Sequence, residues 1–236
     1  MAADCDLSVV IPAYREAENL RLLLPRLNRV LSSLQVRSEV LVIDTKTPQD
    51  ETPQVCQDHG SRYVPRTCGN DYGDAVRTGL SAAAGEFILF MDADGSHAPE
   101  FIPNLWLHAR SADVVIASRY VLGGGTENPI SLILMSRLLN ILYAAVLGIK
   151  CRDVSNSFKL YRADLIRTLP LRSRHFDVVE ELLVRAHGRA NPLKILEVPF
   201  LFKKRLFGET KRKLLPFILS FYTTLLKLFC IRLFCR

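Results

Sequence analysis

The chain has 236 residues, 49% of them hydrophobic, with 31 Lys plus Arg against 24 Asp plus Glu and a net charge of +7. This balance excludes a disordered or fibrous chain and suits one α/β domain with a sizeable core, with or without a small appendage. Six cysteines, at positions 5, 56, 68, 151, 230 and 235, show neither a paired metal spacing nor a disulfide framework, so they read as small apolar residues and surface thiols of a reducing compartment.

Asp4 and Asp6 precede the first apolar run, and no basic stretch leads into it, so no signal peptide is expected. Strands are expected over residues 7–14, 39–44, 61–65, 86–94 and 113–120, and helices over 19–34, 51–58, 73–84 and 99–109. The alternation implies a right-handed, mostly parallel, doubly wound sheet whose first 120 residues form a nucleotide-binding half. Ligands of such sheets bind at the C-terminal ends of the strands. Strand one ends in Pro12-Ala13-Tyr14-Arg15-Glu16, strand two in Asp44, and strand four in Asp92-Ala93-Asp94. Alternation sends Asp92 and Asp94 to one side, where they offer hard oxygen ligands to Mg²⁺ or Mn²⁺ holding a diphosphate. His97, three residues on, reads as a turn residue without a catalytic role. No G-x-G-x-x-G follows strand one and no Walker lysine motif occurs, so phosphates must be held by a metal and by arginines.

Beyond residue 120, Gly123-Gly124-Gly125 marks a mobile loop, and an apolar helix follows over 130–149, broken only by Ser131, Ser136, Arg137, Asn140 and Gly148. It is long enough to raise the question of a membrane span, but Arg137 near its middle disfavours an unassisted crossing. It is expected to pack on the sheet or to lie half-sunk in a membrane interface. Residues 203–213 hold six basic residues against the single Glu209, and residues 214–234 are mostly apolar, with Ser220, Thr224 and Lys227 forming one polar stripe. A basic stretch leading into an amphipathic helix points to a membrane with anionic headgroups. The segment is expected to lie in the membrane plane; a transmembrane hairpin and a helix capping the core are the other readings. Nucleic acid is not expected as a partner, since no helix-turn-helix, finger or aromatic-and-basic sheet signature occurs.

Taken together, VVIPAYREAENL (Val9 to Leu20), the Asp44 strand end, MDADGSHAPE (Met91 to Glu100) and ASRYVLGGG (Ala117 to Gly125) resemble a family 2 glycosyltransferase of the GT-A fold. DVSNSFKLYR (Asp153 to Arg162) and EVPFLFKKRLFGETK (Glu197 to Lys211) resemble, within that family, the dolichol- or polyprenol-phosphate mannose synthases. The resemblance implies a GT-A domain over 1–212, with a nucleotide-sugar half over 1–120 and an acceptor half over 121–212, followed by an amphipathic membrane-interface helix over 213–236. It implies transfer of mannose from GDP-mannose to a polyprenyl phosphate with inversion, at the cytosolic face of a membrane; a membrane-anchoring subunit is a further candidate partner.

By the same resemblance, Pro12, Tyr14, Glu16 and Asp44 hold the nucleotide, Asp92 and Asp94 the metal, with Ser96 at a third metal position. Arg119 and Arg137 match arginines near the donor sugar and acceptor phosphate, Ser157 lies in the acceptor loop, Glu181 matches an acidic residue of the following helix, and Arg205 and Lys211 match a phosphate clamp in which Thr210 replaces the usual serine. One departure stands out: after strand two the family's second acid is replaced by Thr45, and the turn is one residue longer. A UDP-sugar donor, a catalytically weak nucleotide-sugar-binding subunit and a soluble nucleotidyltransferase are the rival readings.

Overall fold

The computed structural model describes residues 5–190, 192–203, 223–230 and 232. β1 (Leu7–Pro12) is buried along its whole length, as befits a strand covered on both faces. α1 (Ala17–Ser33) buries Leu20, Leu23, Leu24, Leu27 and Leu31 along one stripe, the three-and-four spacing of a helix lying on a sheet. β2 (Ser38–Asp44), α2 (Thr52–Asp58), β3 (Arg62–Pro65), α3 (Tyr72–Ala82), β4 (Phe87–Phe90), α4 (Ile102–Trp106) and β5 (Val114–Ser118) complete the expected alternation. The later part of the chain adds β6 (Gly125–Thr126), α5 (Ile130–Leu147), β7 (Lys159–Arg162), α6 (Ala163–Ile166), α7 (Val178–Arg189), β8 (Ile195–Pro199) and β9 (Leu201–Phe202).

The main sheet has the order β3-β2-β1-β4-β7-β5-β8. It is parallel except for β7, which runs antiparallel to both β4 and β5. Neither β7 nor β8 is expected from the sequence. β7 opens on Lys159, fully buried, whose Nζ donates to the Val154 carbonyl at 2.7 Å; a lysine at the head of a strand hides it from any reading of apolar runs. The expected strands over 86–94 and 113–120 stop earlier, at Phe90 and Ser118. Asp92, Asp94 and Arg119 therefore sit in the turns just past the ladder, free of the strand's strict alternation.

Strand residues alternate between two apolar layers. Val10, Ile43, Ile88 and Ile116 pack with α3 and α7 on one face, while Val9, Ile11, Val42 and Leu89 pack with α1, α2 and α4 on the other. Contact between α3 and β1 depends on Gly79, where an added Cβ would lie 2.4 Å from Val10 Cγ1.

Two expectations need correction. The Gly123-Gly124-Gly125 segment is tied down: β6 pairs with β9, with Gly125 opposite Leu201 and Thr126 opposite Phe202. A Cβ at Gly124 would come within 2.4 Å of the Ser118 carbonyl oxygen, so glycine there permits the loop to lie against β5. The second concerns the polar stripe near the C-terminus, of which Ser220 lies outside the described residues. Residues 223–230 are helical, and the stripe turns inward: Thr224 is buried, and Lys227 Nζ donates to Ser173 Oγ at 2.8 Å and Asp177 Oδ2 at 3.1 Å. Leu226 and Phe229 face outward instead.

α5 buries only Asn140, Tyr143 and Leu147. Asn140 docks it, donating to Ser155 Oγ and accepting from the Ser155 N–H. Arg232 donates to the Val146 carbonyl at 2.8 Å, satisfying one of the orphan acceptors at the helix C-terminus.

Candidate active site

The ends of β1, β2, β3 and β4 meet at one rim. Pro12 is buried at the end of β1, Tyr14 projects into solvent, and Glu16 Oε2 accepts from Asn19 Nδ2 at 2.6 Å. Between them Arg15 adopts φ +57°, a left-handed conformation uncommon for a residue with a Cβ and frequent at binding sites. Asp44 is fully buried, and burial pushes its carboxyl above the usual carboxylate range against the pull of the Thr45 N–H. Thr45 donates its hydroxyl to the Thr47 carbonyl at 2.8 Å, within the turn that follows β2. Sequence reasoning missed Arg66. Its backbone N–H donates to the Asp44 carbonyl at 2.9 Å and its guanidinium to the carbonyls of Ala13, at 2.6 Å, and Asn70. One buried arginine thus fastens the first three strand ends together.

The two acids past β4 are held differently. Asp94 Oδ1 accepts from both the N–H and the Oγ of Ser96, at 3.0 and 2.5 Å. Ser96, expected as a third metal position, is fully buried with its proton committed to Asp94, so it orients that carboxylate. Asp92 is partly exposed and accepts from Tyr72 Oη at 3.3 Å and from Ser157 Oγ at 3.1 Å. Burial, reinforced by Asp92, pushes the Tyr72 phenol well above its ordinary range, which keeps it a donor. His97 is buried too: its Nδ1 accepts from the Asp92 N–H at 2.9 Å and its ring stacks on Phe158 at 4.7 Å. Burial holds the imidazole below its usual range, against the nearby Asp92 and Asp94, and a neutral ring is what an accepting Nδ1 requires.

The donor set fits a divalent cation of the Mg²⁺ type. Among the described residues no three His, Cys, Asp or Glu side chains cluster to enclose a metal. Two carboxylates at a strand end, with remaining positions left to phosphate oxygens and water, are the arrangement by which Mg²⁺ joins proteins to nucleotides.

Positive charge lies on the other side of the rim. Arg119 is clamped by the fully buried Asp153, donating from Nε at 2.9 Å and from a terminal nitrogen at 2.7 Å, and it also donates to Ser155 Oγ at 3.0 Å. Burial opposes its charge, but Asp153 outweighs that and raises the guanidinium's pKa. Its charge is largely shared with Asp153. Tyr120, another residue missed by sequence reasoning, brings the two expected arginines together: its ring lies 5.0 Å from the Arg119 guanidinium and 5.5 Å from that of the exposed Arg137.

Glu181 belongs to the first turn of α7. Fully buried, it accepts from the Arg172 and Ser173 backbone N–H groups, at 3.0 and 2.6 Å, and from Arg185 Nε at 2.7 Å. It pins the loop ahead of α7. Arg205 and Lys211 lie outside the described residues. The last described residue before them, Lys203, donates its backbone N–H to the Ser96 carbonyl at 3.4 Å.

Residues 8–169 match the family described as Glycosyl transferase family 2. A dolichol-phosphate mannosyltransferase of Pyrococcus furiosus is 34% identical over 215 residues, covering 87% of this chain and 59% of the relative, so the chain spans about three fifths of that protein's length. An undecaprenyl-phosphate mannosyltransferase of Micrococcus luteus is 32% identical over 214 residues, 86% of this chain and 85% of the relative. Among solved structures, glucosyl-3-phosphoglycerate synthase from Mycobacterium tuberculosis with Mn²⁺, UDP and phosphoglyceric acid has a TM-score of 0.72 at 21% identity, covering 96% of this chain and 79% of that one. The same synthase with Mg²⁺ and UDP gives a TM-score of 0.71 at 20% identity, covering 96% and 80%. At such identity the likeness speaks to the fold, and the fold is the expected GT-A arrangement. With more than half its length matched by the family and two relatives above 30% identity, this chain belongs to glycosyltransferase family 2.

Proposed function

We propose that this chain transfers mannose from GDP-mannose to a polyprenyl phosphate of the dolichyl type, inverting the anomeric centre to give a β-linked lipid monophosphosugar. The observation that carries this reading is the loop 153–157. Asp153 grips Arg119, Ser155 docks Asn140 of the apolar helix α5, and Ser157 reaches Asp92. One short loop therefore joins Asp92, a carboxylate suited to a departing diphosphate, to Arg119 and to the helix suited to a lipid. The two mannosyltransferase relatives are named for dolichol phosphate and undecaprenyl phosphate, which favours mannose as the sugar and a polyprenyl phosphate as the acceptor.

Asp92 and Asp94, oriented by Ser96, Tyr72 and Ser157, would hold Mg²⁺ or Mn²⁺, which when bound supplies Lewis-acid charge to the leaving nucleoside diphosphate. Pro12, Tyr14, Glu16 and Asp44 bind the nucleotide, with Arg66 fixing the strand ends that carry them. The acceptor needs no dedicated base: a phosphate monoester has a second pKa of about 6, so near neutral pH its oxygen is already an anionic nucleophile. What the protein must supply is positive charge where two anions meet. Arg137 offers it from α5, Arg205 and Lys211 add the clamp, and Arg119, its charge shared with Asp153, orients the acceptor loop. The reaction takes place at the cytosolic face of a membrane, where nucleotide sugars are available.

The test is a radiolabelled donor screen with membranes, GDP-mannose against several UDP-sugars, read as label in the organic phase. Label is expected from GDP-mannose and should fall by about 100-fold or more in Asp94→Ala. Incorporation only from a UDP-sugar overturns the donor, full activity in Asp94→Ala removes the metal assignment, and donor binding without transfer makes the chain a binding subunit.

A further inference from the structure

Asp92 accepts from two hydroxyls, which stand on different elements and neighbour each other. Tyr72, the first residue of α3, donates to Oδ1 at 3.3 Å, and Ser157, in the turn ahead of β7, donates to Oδ2 at 3.1 Å. Each carboxylate oxygen thus has its own donor. This matters because the terminal torsion of an aspartate is broad and, left alone, populates many orientations. Two donors, one on each oxygen, hold the carboxylate plane, and each oxygen keeps a lone pair for another partner.

The donors are themselves held. Phe176 stacks on the Tyr72 ring with centroids 4.2 Å apart and planes 21° from parallel. Phe176 in turn belongs to the loop that Glu181 and Lys227 fasten at Ser173, by bonds of 2.6 and 2.8 Å. On the main-chain side, His97 accepts the Asp92 N–H at 2.9 Å. Ser157 follows Asn156, whose Nδ2 donates to the Ala117 carbonyl in β5.

We infer that Tyr72 and Ser157 are positioning residues that clamp the Asp92 carboxylate in one orientation and thereby set the affinity of the site for its divalent cation. The inference rests on the metal reading proposed above and deepens it. Both hydrogen bonds are long for O–H···O contacts, so each hydroxyl is worth on the order of tenfold in affinity or less.

Mn²⁺ titration of the detergent-solubilised full chain, followed by the electron paramagnetic resonance signal of free Mn²⁺, reads the site without turnover. Tyr72→Phe and Ser157→Ala are each expected to weaken Mn²⁺ binding by about threefold to tenfold. The double variant should be weaker than either, with the two effects coupled, because both act on one carboxylate. Tyr72→Phe keeps the ring that stacks on Phe176, so its unfolding midpoint should match the wild type; a ring that served packing alone would leave Mn²⁺ affinity unchanged as well. Affinities within about twofold of wild type in both single variants overturn the clamp. Asp92→Asn separates the two readings: if it fails to weaken Mn²⁺ uptake, the metal assignment itself falls, whereas a loss confined to Asp92→Asn removes only the clamp.

Discussion

Arg119 cannot be understood apart from Asp153. The side chains of the pair are 11% and 0% exposed, so removing the acid strands a guanidinium that water barely reaches. Breaking such a pair from one side costs about 3–5 kcal/mol, even where the intact pair contributes little net stability. Asp153→Asn is therefore expected to lower the free energy of unfolding by about 3 kcal/mol, read from the urea midpoint; an unchanged midpoint would show that Arg119 is solvated after all. Glu181 makes the same point with pH. Burial works to raise its carboxyl, but Ser173, Arg185 and the Arg172 N–H outweigh it and hold the carboxyl below the usual range. A depressed folded pKa adds stability above the unfolded value of about 4.3 and loses it as pH falls through the folded one. The stability gap between wild type and Glu181→Gln should thus be full at neutral pH and shrink below about pH 4; a gap that stays constant in urea titrations down to that range would mean that the carboxylate is unperturbed.

Between elements, the tightest approach is α3 on β1 at Gly79. Gly79→Ala puts a methyl carbon 2.4 Å from Val10 Cγ1, and either the helix or the strand must move. Overpacking of this kind costs about 1–3 kcal/mol. Val10→Ala, which removes that methyl, should cost less in the Gly79→Ala background than alone; strictly additive losses would show that α3 pivots freely. The elements also show what a sequence can and cannot disclose. β1, β2, β4 and β5 are legible because they are apolar on both faces, and Asp92 and Asp94 because carboxylates close such a run. β7 and β8 are not, because each carries an ionisable side chain with a structural purpose. Lys159 reaches the Val154 carbonyl, and Glu197 accepts from Ser118 Oγ and from the Arg152 and Asp153 N–H groups. Tyr72 and Asp153 escape notice for a related reason. Their importance lies in partners 20 and 34 positions away, and no local pattern encodes a contact that the fold alone creates.

Across the described residues, α5 and the helix over 223–230 carry large apolar side chains outward. Ile130, Leu134, Leu138 and Ile141 of α5 are 75%, 61%, 57% and 65% exposed, three or four residues apart and so on one face. α5 is, among the described residues, one helix long and apolar enough to cross a membrane. Asn140, Tyr143 and Leu147 nevertheless seat its opposite face on the protein. Arg232 meets its C-terminal end at the Val146 carbonyl, and the helix over 223–230 adds Leu226 and Phe229 to the outward-facing side chains. Apolar surface of this kind is costly in water, and the basic run over 203–213 would be drawn to anionic headgroups. The expected mode is a helix lying in the interface with its outer face in the acyl boundary. Each buried Leu or Ile then contributes about 1.5–3 kcal/mol. Leu134→Glu combined with Ile141→Glu should weaken partitioning onto phosphatidylglycerol vesicles by on the order of 100-fold, measured by cosedimentation. The fold should be untouched, with an unchanged circular dichroism spectrum, because both side chains face outward. High salt should weaken wild-type binding without abolishing it, since salt screens headgroup attraction but leaves apolar burial intact. Equal partitioning of wild type and double variant would place the lipid contact somewhere other than this face of α5. Complete release of the wild type by salt alone would mean that charge, and not the apolar face, holds the protein to the bilayer.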